Sequence, residues 1–261
     1  MHSTEVSRVI PGPWYFGRTE IDWLAYERAS ELADRFAQTA AEYDRSGSFP
    51  FAHFDALREQ RYLALTVPTE YGGLGAGVHA TVFAQERLAR GDGATALAVG
   101  WHLYVVGKQA ETRTWPEPIR RRIFGEVVAE GALLNACGSE PETGSPSRGG
   151  LPRTTARRLP DGSWVLRGHK HFTTLAPVLR YFIVSATLAG TEEAAWFLVP
   201  RESEGLRIEE TWDAIGMRAT GSHDLWLDDV HLPADALLEP TGDRTPGRAA
   251  GWNLHVPAVY L

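Results

Sequence analysis

The sequence predicts an α+β protein, in which an α-helical domain precedes a small antiparallel β-barrel domain. Apolar residues recur at helical spacing up to Gly131, and short runs of apolar and β-branched residues separated by turns follow it. With 261 residues, 43% of them hydrophobic, the chain can bury the cores of two ordinary domains. We expect an irregular arm over 1–18, a helical domain over 19–132, a β-barrel domain over 133–241, and the start of a truncated C-terminal helical domain over 242–261.

Five helices are predicted in the first half, separated by turn residues. Pro11, Gly12 and Pro13 make the first 18 residues irregular, and glycines at 72, 73, 75 and 77 form a loop. The helices are predicted at 21–43, from Phe51 onward, and at 78–90, 94–109 and 117–129.

Six short strands are predicted in the second half. Turn signals such as Pro160-Asp161-Gly162 separate them, a pattern that is typical of a small antiparallel barrel or sandwich. The strands are predicted at 156–159, 164–168, 181–186, 195–199, 206–208 and 223–227.

The last residues begin a third helical pattern. Ala249, Trp252, Val256 and Val259 form an apolar stripe that reaches Leu261 without a Gly or Asn stop signal. We interpret this stripe as the beginning of a helical domain whose remainder is absent from this chain.

Composition excludes several classes of protein. A net charge of -7, and no basic run longer than residues 120–122, argue against a nucleic-acid surface. The single cysteine, Cys137, permits no internal disulfide and suits a reducing compartment. Neither a secretory signal nor a membrane span is visible, so we expect a soluble cytoplasmic protein.

Four motifs, in order, resemble those of the acyl-CoA dehydrogenase family, and each is weak alone. Residues 67–75 read Val-Pro-Thr-Glu-Tyr-Gly-Gly-Leu-Gly, and residues 139–145 read Ser-Glu-Pro-Glu-Thr-Gly-Ser. Residues 168–174 read Gly-His-Lys-His-Phe-Thr-Thr. Residues 215–222 read Ile-Gly-Met-Arg-Ala-Thr-Gly-Ser and run into a strand with two acidic residues, Val and Pro. The resemblance extends over roughly residues 20 to 261.

The resemblance implies FAD as cofactor and an acyl-CoA as substrate. The family removes the α-proton of a thioester while the β-hydrogen leaves as hydride to the flavin, and the protein supplies orientation and electrostatics. No glutamate of this chain matches the family's base, so the catalytic base is expected beyond Leu261. The resemblance also implies that the full-length protein is a homo-oligomer, which in the family is a homotetramer. The sequence does not identify the electron acceptor. We expect this chain alone to bind flavin weakly and not to turn over.

The resemblance implies five cofactor-binding residues. Ser139 matches a threonine that bonds the flavin ring edge, Ser145 a serine on the pyrophosphate, and Gly144 lets the backbone approach phosphate. Phe172 matches a tryptophan beside the flavin, and Thr174 a threonine that bonds the ring. On a strand, Phe172 and Thr174 would share one face. The alternatives are a turn serine at 139 and a barrel-core residue at 172.

Three histidines and one departure complete the candidates. His102 lies on a helix that faces the substrate in the family, although a packed core histidine is the commoner case. His169 and His171 share a strand face, but they lack a third ligand nearby and we expect no metal. Leu175-Ala176-Pro177 departs from the family's Asn or Ser and Gly, which leaves the exposed flavin edge in doubt.

Two rival functions therefore stay beside acyl-CoA oxidation. One is a flavin-dependent monooxygenase on the same fold, which the altered 175–177 segment keeps open. The other is a non-catalytic fragment or subunit.

Overall fold

The computed structural model describes residues 19–143, 150–240, 251–252, 256 and 259, and the first half of this part is helical. The predicted helical domain is thus built from helices, as expected. Its helices are α1 (Glu20–Phe36), α2 (Ala40–Ser46), α3 (Phe51–Glu59), α4 (Val78–Ala89), α5 (Gly93–Thr112) and α6 (Glu117–Glu130).

Side chains and turn residues set the helix ends. Thr19 begins α1 with a capping box, since its hydroxyl accepts from the Asp22 amide and the Asp22 carboxylate accepts from the Thr19 amide. Asp92 caps α5 by accepting from the amides of Ala94 and Thr95. Gly131 ends α6 in the left-handed conformation, with φ at 64°.

The single helix predicted at 21–43 is wrong, because the chain turns at Ala37 to Thr39 and forms α1 and α2 separately. The Thr39 hydroxyl lies 2.8 Å from Nε2 of the buried His53, which holds the turn against α3. The sequence pattern was interpreted as one helix across this turn, whereas the hydrogen bond between Thr39 and His53 stabilises the break between α1 and α2.

Eight strands in the described part form one mixed sheet, in the order β6-β7-β3-β2-β4-β5-β8, with β1 added on β4. Most of the strand pairs are antiparallel, as predicted, whereas β4 pairs in parallel with both β1 and β2, which the sequence did not predict. Among the described residues, no ladder joins β6 to β8. The strands are β1 (Leu133–Cys137), β2 (Thr155–Arg158), β3 (Trp164–Thr173), β4 (Leu179–Leu188), β5 (Ala194–Pro200), β6 (Leu206–Glu209), β7 (His223–Leu232) and β8 (Leu237–Pro240).

One hydrophobic core joins the helices to the sheet. Phe36 and Leu103 of the helices belong to the same buried cluster as Phe182 and Leu225 of the sheet. A second cluster packs α6, including Phe124, on the opposite face of β1, β4 and β5. Both faces of β4 are therefore covered, which explains why six successive residues from Tyr181 to Ala186 are buried.

Trp252 packs on the C-terminal part of α5. Its indole Nε1 donates to Glu111, and its ring lies over Gly107, where a methyl group would come within 2.1 Å of the ring. In the part of the chain that the structure describes, no helix is long and apolar enough to span a membrane.

We expect Gly107→Ala to destabilise the fold by about 1–3 kcal/mol, because the added methyl forces the Trp252 ring out of its place. The matched control is Gly125→Ala in α6, where the new methyl meets nothing within 4 Å. That change should stabilise by about 0.5–1 kcal/mol through the lower entropy of the unfolded chain. Urea unfolding of both variants tests this, and equal effects would contradict the packing of Trp252 on α5.

Candidate functional site

Three segments that are distant in sequence meet at the end of β3. The His171 amide donates to the Ser139 carbonyl at 3.0 Å, which brings the turn after β1 beside β3. The amides of Leu175 and Ala176 donate to the carbonyls of Thr220 and Gly221 at 3.1 and 3.2 Å. The predicted residues Ser139, Phe172 and Thr174 therefore lie in one region of the structure.

A buried ion pair fastens the turn after β1 to β3. Lys170 Nζ lies 2.6 Å from Glu140 Oε1, and both side chains are fully buried. Glu140 also accepts from the amides of Arg153 and Thr154, and from the hydroxyls of Thr154 and Thr143. Every acceptor of the carboxylate is engaged in holding the turn, so Glu140 has a structural role.

The electrostatics keep this pair charged. Burial alone would raise the pKa of Glu140, but the hydrogen bond and charge of Lys170 and the Thr154 donors outweigh it and lower that pKa to about 2. Burial lowers the pKa of Lys170 against the opposing influence of Glu140. Since the ammonium lies 2.6 Å from an ionised carboxylate, we treat both groups as charged near neutral pH.

Phe172 is exposed, so the barrel-core alternative for it is wrong. Its side chain is 56% exposed, and its backbone is left-handed with φ at 57°. Trp212 stands perpendicular to it, with ring centroids 5.8 Å apart. We call this pair, an exposed Phe172 and a half-buried Trp212, the aromatic corner (Phe172, Trp212).

The expectation that Phe172 and Thr174 share a strand face is also wrong. Pairing with β7 shifts register between Lys170 and Thr173, and β3 ends at Thr173. The left-handed Phe172 breaks the alternation, so Phe172 turns to the surface while Thr174 is 7% exposed.

Thr174 is held from both its backbone and its side chain. The Asn135 amide group donates to the Thr174 carbonyl at 2.9 Å. The Thr174 hydroxyl lies 2.9 Å from Ser222 Oγ, which lies 2.7 Å from Thr220 Oγ1. Sequence inspection missed the roles of Asn135, Ser222 and Thr220, although the last two lie within the quoted motif at 215–222.

Ser139 is half-buried, and its carbonyl is engaged by His171. Gly144 and Ser145, the two residues expected at a pyrophosphate, lie outside the described residues. Their roles stay predictions.

The substrate-binding role of His102 stays a prediction, and the structure places this residue in the core. The ring is fully buried; its Nδ1 accepts from the Leu134 amide, and its Nε2 lies 2.9 Å from the Leu63 carbonyl. Burial lowers the pKa of His102 to about 4, against the two backbone hydrogen bonds, so the ring is neutral. A neutral ring with the hydrogen on Nε2 satisfies both contacts and leaves no atom for a substrate.

The ring of His169 contacts two neighbouring side chains. Its Nε2 lies 2.7 Å from Asp224 Oδ2, and its ring stacks on Trp226 at 3.8 Å. Burial lowers the pKa of the adjacent His171, opposed by Asp224 and assisted by His169. Among the described residues, no group of three or more His, Cys, Asp or Glu could hold a metal ion.

A cavity of about 310 Å³ opens between the start of α5 and the 212–222 segment. Residues 91–94 at the start of α5, three residues of α2 and the pair Met217 and Ala219 line it. Arg218 closes this boundary by donating to the Asp44 carbonyl at 2.8 Å. The cavity therefore lies between the helical region and the aromatic corner's segment.

Family models match both halves of the chain. Residues 24–114 match the acyl-CoA dehydrogenase N-terminal domain, and residues 135–230 match the middle domain of the same family. This chain belongs to the acyl-CoA dehydrogenase family. The recognition from four motifs is thereby confirmed, together with the order of a helical region before a sheet.

Two curated relatives differ in what they do. The candidate acyl-CoA dehydrogenase YdbM of Bacillus subtilis is 45% identical over 239 residues, which cover 92% of this chain and 62% of YdbM. L-evernosamine nitrososynthase of a Micromonospora species is 32% identical over 252 residues, covering 90% of this chain and 55% of that enzyme. The chain thus spans somewhat more than half of the length of these relatives.

Two solved structures share the fold. KijD3, in complex with FMN and an amino-keto sugar nucleotide, superimposes with a TM-score of 0.82 at 31% identity, covering 94% of this chain and 62% of KijD3. The dibenzothiophene monooxygenase TdsC of Paenibacillus sp. A11-2, in complex with FMN and indole, superimposes with a TM-score of 0.74 at 28% identity. The match covers 83% of this chain and 53% of TdsC.

We expect Glu140→Gln to destabilise the protein by about 3–5 kcal/mol, because it leaves the Lys170 ammonium buried without a counter-charge. The double variant Glu140→Gln with Lys170→Met should lose less than the sum of the single variants. Denaturant unfolding measures both, and strict additivity would argue against the pair.

The same pair makes stability depend on acid. Because the pKa of Glu140 falls from 4.5 to about 2 on folding, its stabilisation is complete above pH 4.5 and is lost between pH 4.5 and 2. Glu140→Gln should lack this part of the acid dependence, whereas the surface control Glu142→Gln should keep it.

Proposed function

We propose that this chain forms the flavin-binding and substrate-binding half of an enzyme that oxidises an acyl-CoA thioester to its 2,3-enoyl-CoA, with FAD as cofactor. The likeness to YdbM, 45% identical over 92% of this chain, carries the proposal. The aromatic corner beside Ser139 and Thr174 supports it from the chain's own residues.

The described residues fit a flavin at the aromatic corner. An exposed Phe172, held at a positive φ and braced by Trp212, offers a flat apolar face for a planar ring. Neutral hydroxyls at Ser139 and Thr174 can bond a ring edge that has both donors and acceptors. A ring there would also cover the apolar surface that Phe172 exposes to water.

Within this proposal the chain binds and orients, and it keeps water from the reacting atoms. When bound, the flavin supplies the acceptor for the hydride that leaves the β-carbon. The cavity beside Gly91 to Ala94 offers space on the helical side for an acyl group. Neither Glu140 nor His102 takes the α-proton, because all their polar atoms are engaged within the fold.

A flavin-dependent monooxygenase is the second candidate function. The resemblance to KijD3 and TdsC, both bound to FMN in their structures, favours it. The departure at Leu175-Ala176-Pro177 also favours it, since Leu175 is left-handed and fully buried beside the ring-edge residue Thr174. A cytoplasmic location and a homo-oligomeric assembly go with either function in our proposal.

Because this chain alone is not expected to turn over, the test that separates the two functions uses the flavin-loaded protein in the longest form that its gene encodes, mixed anaerobically with acyl-CoA of several chain lengths. Bleaching of the oxidised flavin absorbance supports the dehydrogenase. No bleaching by acyl-CoA, with oxygen consumption once the flavin is reduced chemically, supports the monooxygenase. A protein that binds no flavin under either condition supports the non-catalytic alternative.

We expect Phe172→Ala to weaken flavin binding by roughly 3- to 10-fold, because the ring loses its aromatic partner. Stability should change little, since the side chain is 56% exposed. Phe51→Ala is the matched control, with 55% exposure at the start of α3. Fluorescence titration with flavin measures both, and equal affinities of the two variants would contradict a flavin at the corner.

A further inference from the structure

Three buried hydroxyls form a continuous hydrogen-bonded chain below the end of β3. Thr174 Oγ1 lies 2.9 Å from Ser222 Oγ, which lies 2.7 Å from Thr220 Oγ1, and Thr220 Oγ1 lies 3.0 Å from the Met217 carbonyl oxygen. The three side chains are 7%, 5% and 1% exposed. We call these three hydrogen-bonded hydroxyls the hydroxyl relay (Thr174, Ser222, Thr220).

The carbonyl at its inner end sets one direction for the relay. A carbonyl only accepts, and each hydroxyl has a single hydrogen. If Thr220 donates to Met217, then Ser222 must donate to Thr220, and Thr174 must donate to Ser222. In this inward direction, Thr174 offers a lone pair to any ligand beside it.

The relay can also run outward. The Met217 carbonyl accepts from the Thr220 amide at 3.2 Å and from Trp212 Nε1 at 3.1 Å as well. Two donors already satisfy its two lone pairs, so the Thr220 hydroxyl can rotate away without leaving a buried acceptor unpaired. Thr220 then donates to Ser222, Ser222 donates to Thr174, and Thr174 offers a hydrogen.

Backbone contacts hold the outer end still while the hydrogens turn. Asn135 donates to the Thr174 carbonyl, and the Leu175 amide donates to the Thr220 carbonyl. The two ends of the relay are therefore tied to one another and to β1. Reversal needs rotation of three hydroxyl hydrogens and no movement of heavy atoms.

We propose that the relay reverses with the redox state of the bound flavin, so that Thr174 donates to the oxidised ring edge and accepts from the reduced one. This proposal rests on the flavin site proposed above. A ring-edge nitrogen of a flavin is an acceptor when oxidised and carries a hydrogen when reduced. If Thr174 could only donate, its hydrogen would face the hydrogen of the reduced ring. If it could only accept, its lone pair would face the lone pair of the oxidised ring. Either mismatch leaves a buried hydrogen bond unmade. No proton is exchanged along the relay.

Thr220→Val removes the inner hydroxyl and keeps the shape of the side chain. The inward direction then leaves the Ser222 hydroxyl without an acceptor, so only the outward direction is satisfied. We expect the ratio of the dissociation constants for reduced and oxidised flavin to rise about tenfold. The midpoint potential of the bound flavin should fall by about 30 mV, which is a tenfold change for a two-electron couple.

Trp212→Phe is expected to change the ratio of the dissociation constants in the opposite direction. It removes one donor from the Met217 carbonyl, so the Thr220 hydroxyl is needed there and the inward direction gains. The ratio should therefore fall relative to the unmodified protein, even if loss of the indole weakens binding of both forms.

Thr220→Ser, which keeps the hydroxyl, should restore the ratio of the unmodified protein. Thr66→Val is the matched control, because Thr66 is also buried and its hydroxyl donates to the Leu103 carbonyl at 3.2 Å, outside the relay. It should cost stability without changing the ratio. FAD titrations under air and with chemically reduced FAD under nitrogen, on the 261-residue chain, give the two constants.

The outcomes distinguish the two proposals. If the unmodified chain binds neither form of FAD, the proposed flavin site fails. If FAD binds and neither Thr220→Val nor Trp212→Phe changes the ratio by more than about twofold, or both change it in the same direction, the relay proposal is overturned.

Discussion

The arrangement of the site depends on the buried contact between Lys170 and Glu140. A turn that leaves β1 would otherwise have only backbone hydrogen bonds to keep it beside β3. The ion pair joins this turn to a residue two positions before Phe172, and further donors complete the coordination of the carboxylate. Because neither charge can leave its partner without an uncompensated desolvation cost, the turn has one stable position.

The groups offered by the site are neutral. The charges of the Lys170–Glu140 pair lie inside the protein, where they hold the backbone, while the Phe172 ring is exposed and the Ser139 and Thr174 hydroxyls lie half-buried and buried in the same region. A planar cofactor can then be bound by packing and by hydrogen bonds that adapt in direction. Buried charge thus contributes position, and the exposed neutral groups contribute recognition.

The site lies on the boundary between the helices and the sheet. A shared core joins the two, and Arg218 connects the 212–222 segment to α2 by its hydrogen bond to Asp44. The proteins that this chain resembles include a candidate acyl-CoA dehydrogenase and a dibenzothiophene monooxygenase. A shared fold therefore does not fix the reaction, which depends on the residues of the site. Leu175, buried and left-handed next to Thr174, is one place where this chain has its own local shape.

Much of the fold could be predicted from local patterns. Five of the six helices and six of the eight strands in the described part follow the predicted periodicities, with ends displaced by a few residues, whereas β1 and β8 were not predicted. The break at Ala37 to Thr39 could not be predicted, because its cause is a contact with His53, fourteen residues away. The parallel pairing of β1 with β4 is likewise a choice between partners, and strand periodicity does not distinguish them.

The amino-acid sequence by itself determined the family, the segments that carry the site, and the residue types available there. Only the tertiary structure decided what those residues do. His102 is a satisfied core residue, Phe172 is exposed by a left-handed backbone, and Thr174 ends a relay whose other members lie nearly fifty residues away. The reason is physical: residue type sets which hydrogen bonds a side chain can make, whereas burial and distant partners set which ones it does make.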